Sequence, residues 1–283
     1  MATLRLGVVA DPHLSLRGGE AAWHNPYRLT DAHDRLDAAL ADPLFDDVDA
    51  LVLLGDLAHF GDRPSMQRCV ESVAKARGSR PAVLISGNHD VLEPGVHLDD
   101  EVAPYERDFE AAQLFRNAGF GLRRHDVVAE TTRRAEPFDV RSRTLVDRGP
   151  NGDVVCTHFP VLSLEARARD AHMLYAGHLA QLAPPIDALP SGRPVVVLSG
   201  HLHLRGVTHE ADVLQLAFAA LVEPPYELAR VEIAAGDAGL DVDYRCISAR
   251  EPDATRLPIL DPPTGQFSWR SGEGWHRAEE GRW

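Results

Sequence analysis

The sequence predicts an α/β fold with polar, ligand-type residues gathered at the carboxyl ends of strands. Three observations lead there. Five short apolar runs with strand character each end in a residue type that binds metal. Segments of helical periodicity separate the early runs, and the texture becomes all-strand after residue 203. The runs are near-continuous instead of alternating, as in sheets covered on both faces. Open α/β sheets hold their ligands beyond the carboxyl ends of such strands.

In chain order, residues 4–10 lead to Asp11-Pro12-His13, and residues 50–54 lead to Gly55-Asp56. Residues 82–86 lead to Gly87-Asn88-His89-Asp90, residues 154–157 to His158, and residues 195–199 to Gly200-His201-Leu202-His203. Thr30 or Asp31 caps a first predicted helix that runs to Leu40. Asp62 and Pro64 open a second, with Met66, Cys69, Val70 and Val73 at helical spacing until Gly78. A third is expected over 104–117 and a less regular fourth within 165–182. Pro150-Asn151-Gly152 signals a turn between strands at 144–147 and 153–157. Strands follow at 213–219, 227–234 and 240–248. Beyond Arg250 the chain is polar and proline-rich, yet it holds Trp269, Trp275 and Trp283, three of the four tryptophans. The expected organisation is a catalytic domain over 1–250 and an extension over 251–283 that docks on it or on a second subunit.

A chain of 283 residues suffices for one sizeable core. The formal charge of −14, with Lys75 the only lysine, disfavours wrapping long nucleic acid. A small phosphorylated substrate remains compatible, because bound cations invert the local field. No run approaches the roughly 20 apolar residues of a membrane span. The first apolar segment lacks a preceding basic region and runs straight into Asp11, so no signal peptide is read and the cytoplasm is the expected compartment. Cys69, Cys156 and Cys246 sit in apolar patterns and read as buried thiols of a reducing compartment.

Asp11 and His13 lie two apart, so at an extended strand end both point the same way and can grip one ion. His201 and His203 repeat that spacing. Gly55, Gly87 and Gly200 let the backbone turn beside a ligand. The pooled donors are Asp11, His13, Asp56, Asn88, His158, His201 and His203, nitrogen and oxygen without thiolate. That set suits divalent or trivalent Mn, Fe or Zn and not a Cys-type structural zinc. Seven donors are too many for one four-coordinate ion and suit two, with Asp56, the sole donor on its strand, as the natural bridge. His158 stands on a single-residue motif; His172 and His178 compete with it from sequence read as helical.

These ordered motifs resemble those of the calcineurin-like metallophosphoesterase superfamily, from residue 4 to about 210. In length and spacing the chain is most similar to the cyclic-nucleotide phosphodiesterase-like branch. The resemblance implies a four-layer αββα sandwich of two mixed sheets flanked by helices. It implies one metal held by Asp11, His13 and His203, a second by Asn88, His158 and His201, and Asp56 bridging them. His89 would bind no metal but would face the substrate, stabilise developing charge and protonate the leaving oxygen. Asp90 would orient that imidazole. The implied reaction is hydrolysis of a phosphomonoester or phosphodiester by a metal-bridging hydroxide, on a small substrate such as a nucleotide or phosphorylated metabolite. A cyclic-nucleotide phosphodiesterase, a DNA-repair-type nuclease and a non-catalytic scaffold are the alternatives. The acidic charge stands against the nuclease, and His89 against the scaffold.

Trp23, His24, Asn25, Tyr27 and Arg28 follow the first motif and either overlook the metals as substrate contacts or form an ordinary surface loop. His59, three residues after Asp56, either reaches the pocket rim or is solvated. The tail tryptophans leave a homo-oligomer open.

Overall fold

A computed structural model describes residues 2–98, 107–133, 136–179, 189, 192–254 and 256–278. In chain order the elements are β1 (Ala2–Val9), α1 (Ala32–Leu40), β2 (Ala50–Leu54), α2 (Arg63–Arg77), β3 (Ala82–Ile85), α3 (Arg107–Asn117), β4 (Phe120–Arg133), β5 (Glu136–Val146), β6 (Gly152–Thr157), α4 (Glu165–Asp170), β7 (Val195–Ser199), β8 (Gly206–Glu210), β9 (Val213–Ala217), β10 (Glu227–Gly236), β11 (Gly239–Ser248), β12 (Thr264–Arg270) and β13 (Gly274–Arg277). They form two mixed sheets, ordered β13-β12-β11-β10-β1-β2-β3 and β5-β4-β6-β7-β9-β8. β1, β2 and β3 are parallel neighbours, as are β4, β6, β7 and β9.

Period-2 alternation builds the layers. Leu4, Leu6 and Val8 of β1 join Val52, Leu54, Val154, Cys156, Val196 and Leu198 in the core between the sheets. Val9, Leu51 and Leu53 point the other way, onto Leu36 and Ala39 of α1 and Met66, Cys69 and Val73 of α2. The Asp62 side chain caps α2 by accepting the Ser65 N–H at 3.1 Å, and Gly78 ends it at φ +57°. The three cysteines are buried and form no disulfide. No helix among the described residues is long and apolar enough to cross a membrane.

Two helix expectations are met within the described residues, and two further expectations needed revision. The fourth helix, expected within 165–182, is Glu165–Asp170; His172 turns left-handed at φ 54°, and 180–182 lie outside the described residues. Downstream, Leu179 joins Phe159, Val161 and Leu162 in covering Val155, Val195 and Val197. The predicted third helix is described over Arg107–Asn117, with 104–106 outside the described residues. The strands around Pro150-Asn151-Gly152 are not a paired hairpin: the Asn151 N–H donates to Gly119 at 2.9 Å, and β4 inserts between β5 and β6. The polar tail contains two strands of the first sheet, and Phe267, Trp269 and Trp275 enter the core between the sheets. Both indole N–H groups close on Asp212, Trp269 on its carboxylate at 3.0 Å and Trp275 on its carbonyl at 2.7 Å. Trp283 lies outside the described residues.

Candidate metal centre

The carboxyl ends of β1, β2 and β3 from one sheet meet those of β6 and β7 from the other. After β1, β2 and β7 the chain turns sharply. Asp11, His13, Asp56, His201 and His203 have φ between 45° and 68°, a region that non-glycine residues rarely enter. Such strain costs about 1 kcal/mol or more per residue and gathers where function requires an exact aim. Backbone bonds hold it in place: His13 N–H donates to Asp56 O at 2.9 Å, and Gly200 N–H to His158 O at 3.1 Å. The loops also pass too close for side chains. A Cβ on Gly87 would lie 2.2 Å from Asp56 Oδ1, and one on Gly55 would lie 2.6 Å from His158 Nδ1.

Two donor groups share one carboxylate. Asp11, His13, Asp56 and His203 offer ligand atoms within 4.8 Å of one another. His13 Nε2 is 3.2 Å from His203 Nε2 and 3.4 Å from Asp56 Oδ2. On the other side, His158 Nε2 is 3.4 Å from Asp56 Oδ1 and 3.0 Å from Asn88 Oδ1. The His201 ring lies 5.0 Å from that of His158, and its Nε2 is buried with no hydrogen-bond partner among the described residues. Ligands sharing an ion with bonds of about 2.1 Å stand about 3 Å apart, so the first group fits a cation. A buried imidazole nitrogen without a partner is what a missing metal bond leaves.

Burial drives the His13 and His201 imidazoles well below their ordinary range, leaving them neutral, as ligands must be. Burial also works against the charged forms of Asp56 and His203, but their neighbours win. The imidazoles of His158, His89 and His13 hold the Asp56 carboxyl below the usual range. Asp11 and Glu223 push His203 up to about 10. His203 Nδ1 lies 2.7 Å from Glu223 Oε1, and Glu223 also accepts the Asn25 N–H. Sequence reasoning missed Glu223. Its signal was an acid at the end of an otherwise apolar stretch, just before Pro224-Pro225.

His89 sits beside the centre, its ring 4.6 Å from that of His13. Its orientation does not come from Asp90, which corrects the sequence reading. The Asp90 carboxylate accepts the N–H groups of Leu57, Ala58 and Gly87 at 2.8–3.1 Å, tying the Asp56 and Asn88 loops together. Burial and the nearby Asp56 push its pKa up to about 7. His89 Nδ1 instead donates to the His59 carbonyl at 2.7 Å. The His59 ring stacks on His89 at 5.0 Å and brings its Nδ1 to 3.2 Å from His13 Nδ1, so His59 is buried in the centre and not solvated.

The loop after the first motif divides. The Tyr27 ring lies 5.2 Å from His13 and 5.4 Å from His203, and burial, then Glu223, keeps its phenol protonated. His24 Nε2 is 2.9 Å from the carbonyl of Leu202, between His201 and His203. Trp23, His24 and Asn25 line a neighbouring cavity. Arg28 departs from the expectation: its guanidinium is exposed and paired with Asp253 in the C-terminal segment.

Imidazole and carboxylate donors converging on the rim of two packed mixed sheets define the site of a metal-dependent hydrolase. Residues 4–205 match the calcineurin-like phosphoesterase family, and the chain belongs to it. It is a metal-dependent phosphoesterase of a family whose centre holds two metals. It is 27% identical over 228 residues to a probable cyclic nucleotide phosphodiesterase of Rhodopseudomonas palustris, covering 71% of this chain and 79% of that one. Its fold is similar to a dimetal phosphatase of Danio rerio, with a TM-score of 0.52 and 14% identity over 88% of this chain and 97% of that one.

Proposed function

We propose that the chain hydrolyses the phosphoester bond of a small substrate, a nucleotide or phosphorylated metabolite, at a two-ion centre. Asp11, His13 and His203 hold one ion, Asn88, His158 and His201 the other, and Asp56 is shared. The observation that carries this reading is the Asp56 carboxylate, whose Oδ2 faces His13 while Oδ1 faces His158. When bound, the ions supply positive charge at the phosphoryl oxygens and make water acidic enough to attack at neutral pH.

The chain's own groups do the rest. Asp56, its pKa depressed by three imidazoles, stays an anion between the two donor groups. The carbonyl of His59 fixes Nδ1–H of His89, which leaves Nε2 as the nitrogen that gains or loses a proton. From there the protonated ring stabilises the developing charge and gives its proton to the leaving oxygen. A cyclic-nucleotide diester is the second reading, supported by the Rhodopseudomonas relative.

The test is a manganese-supplemented panel of cyclic nucleotides, nucleoside monophosphates, p-nitrophenyl phosphate and bis-p-nitrophenyl phosphate, run on wild type and His89→Ala. The variant should lose about 10²-fold or more in kcat while retaining both ions. A loss under about threefold would rule out the acid role. Preference for cyclic nucleotides over the monoesters selects the second reading.

A further inference from the structure

Beside the metal centre lies a cavity of about 330 Å³, at the small end of the range for small-molecule sites. One wall is Trp23, His24 and Asn25; the other is Met173, Leu174 and Arg256. Both walls are tied to the centre. His24 holds the Leu202 carbonyl between two imidazoles of the ligand set, and the Asn25 N–H donates to Glu223, which supports His203. Met173 and Leu174 come from the loop after α4 and Arg256 from the C-terminal segment, which is clamped to the loop two residues past His203. Arg205 N–H donates to Pro258 O at 2.9 Å, and Leu260 N–H to Arg205 O at 2.8 Å. The Arg256 guanidinium then reaches the Ala171 carbonyl and joins this segment to the loop after α4.

The lining has specific chemistry. The Trp23 indole N–H is buried and has no acceptor among the described residues. His24, donating through Nε2, offers Nδ1 as an acceptor. An indole, a thioether and a guanidinium are the groups on which flat heteroaromatic rings stack. We propose that this cavity binds the base of a nucleotide substrate, so that Trp23 and the C-terminal Arg256 set the specificity of the phosphoesterase. The inference rests on the proposed hydrolysis of small phosphoesters and adds the group that the phosphate carries.

The experiment compares kcat/KM for adenosine nucleotides, monophosphate and cyclic, with that for p-nitrophenyl phosphate in wild type, Trp23→Ala, Trp23→Phe and Arg256→Ala. Adenosine binding to the manganese-loaded protein is measured alongside by calorimetry. The ratio of nucleotide to p-nitrophenyl phosphate should fall at least tenfold in Trp23→Ala and severalfold in the other two. Arg256 is exposed, so its variant keeps the test open should Trp23→Ala fold poorly. Ratios within twofold of wild type in all folded variants would overturn the subsite. If wild type cleaves p-nitrophenyl phosphate but no nucleotide, adenosine binding decides: binding that is lost in Trp23→Ala supports the cavity, and no binding to wild type overturns it. If wild type cleaves no phosphoester, the underlying reading fails, and adenosine binding judges the cavity alone.

Discussion

His203 Nδ1 lies 2.7 Å from Oε1 of Glu223, and Glu223 is wholly buried. This carboxylate fixes the imidazole tautomer, so that Nε2, 3.2 Å from His13 Nε2, is the nitrogen presented to a cation. Glu223→Gln keeps the shape and removes the charge. It should weaken one of the two metal sites about 10-fold or more, since such supports are worth about 10–100-fold in affinity. Competition with a chelator, read by elemental analysis, would detect this; unchanged stoichiometry at limiting metal would remove Glu223 from the metal's support.

Gly87→Ala should be severe. Its Cβ would sit 2.2 Å from Asp56 Oδ1 and 2.4 Å from Asp56 N, and that loop is pinned by Asp90. The shared carboxylate must move, so the protein should bind fewer than two ions and lose about 10²-fold in turnover, as expected when donors are misplaced by about 1 Å. Two tightly held ions in the variant would show that the loop has room after all.

In metal-free protein, stability should depend on pH through His203. Its folded pKa is raised to about 10, from an ordinary value near 6.5. A raised histidine contributes stability fully below its unfolded pKa and loses it as pH rises through the folded value. Urea midpoints of chelator-treated wild type should therefore fall between about pH 7 and 10 more steeply than those of His203→Gln. Metal needs the neutral ring, so apparent metal affinity should rise over the same interval. Parallel midpoint curves for the two proteins would contradict the assignment.

Trp275→Ala should destabilise the whole domain, because its indole is 4% exposed in the inter-sheet core. Large aromatic truncations in cores cost about 3–5 kcal/mol. A single cooperative unfolding transition shifted by that amount makes the tail part of the fold. A local transition with the catalytic sheet intact would make it an appendage.

Much of the centre was legible because local rules and ligand chemistry agree. Asp11/His13 and His201/His203 sit at two-residue spacing on strand ends, and the glycines beside them mark close backbone approach. The supports were not legible. Asp90 follows His89 in sequence and read as its partner, yet its carboxylate is used up by three backbone donors from two loops. His59 takes that place through its carbonyl, which any residue at that position would carry. The tail strands stayed hidden because Phe267 and Trp269 alternate over only seven residues between proline-rich and glycine-rich stretches.

By itself the sequence determined the α/β class, the five strand-end motifs and the pool of nitrogen and oxygen donors, since periodicity and ligand type are local properties. Only the tertiary structure decided how those donors face one another. Which oxygen of Asp56 meets His13 and which meets His158 depends on where two sheets meet, and no spacing within one strand encodes that. The same holds for Glu223 behind His203 and for Arg256 opposite Trp23. These pairs are 20 and 233 residues apart and meet only because packed sheets and a clamped C-terminal segment bring them to one rim.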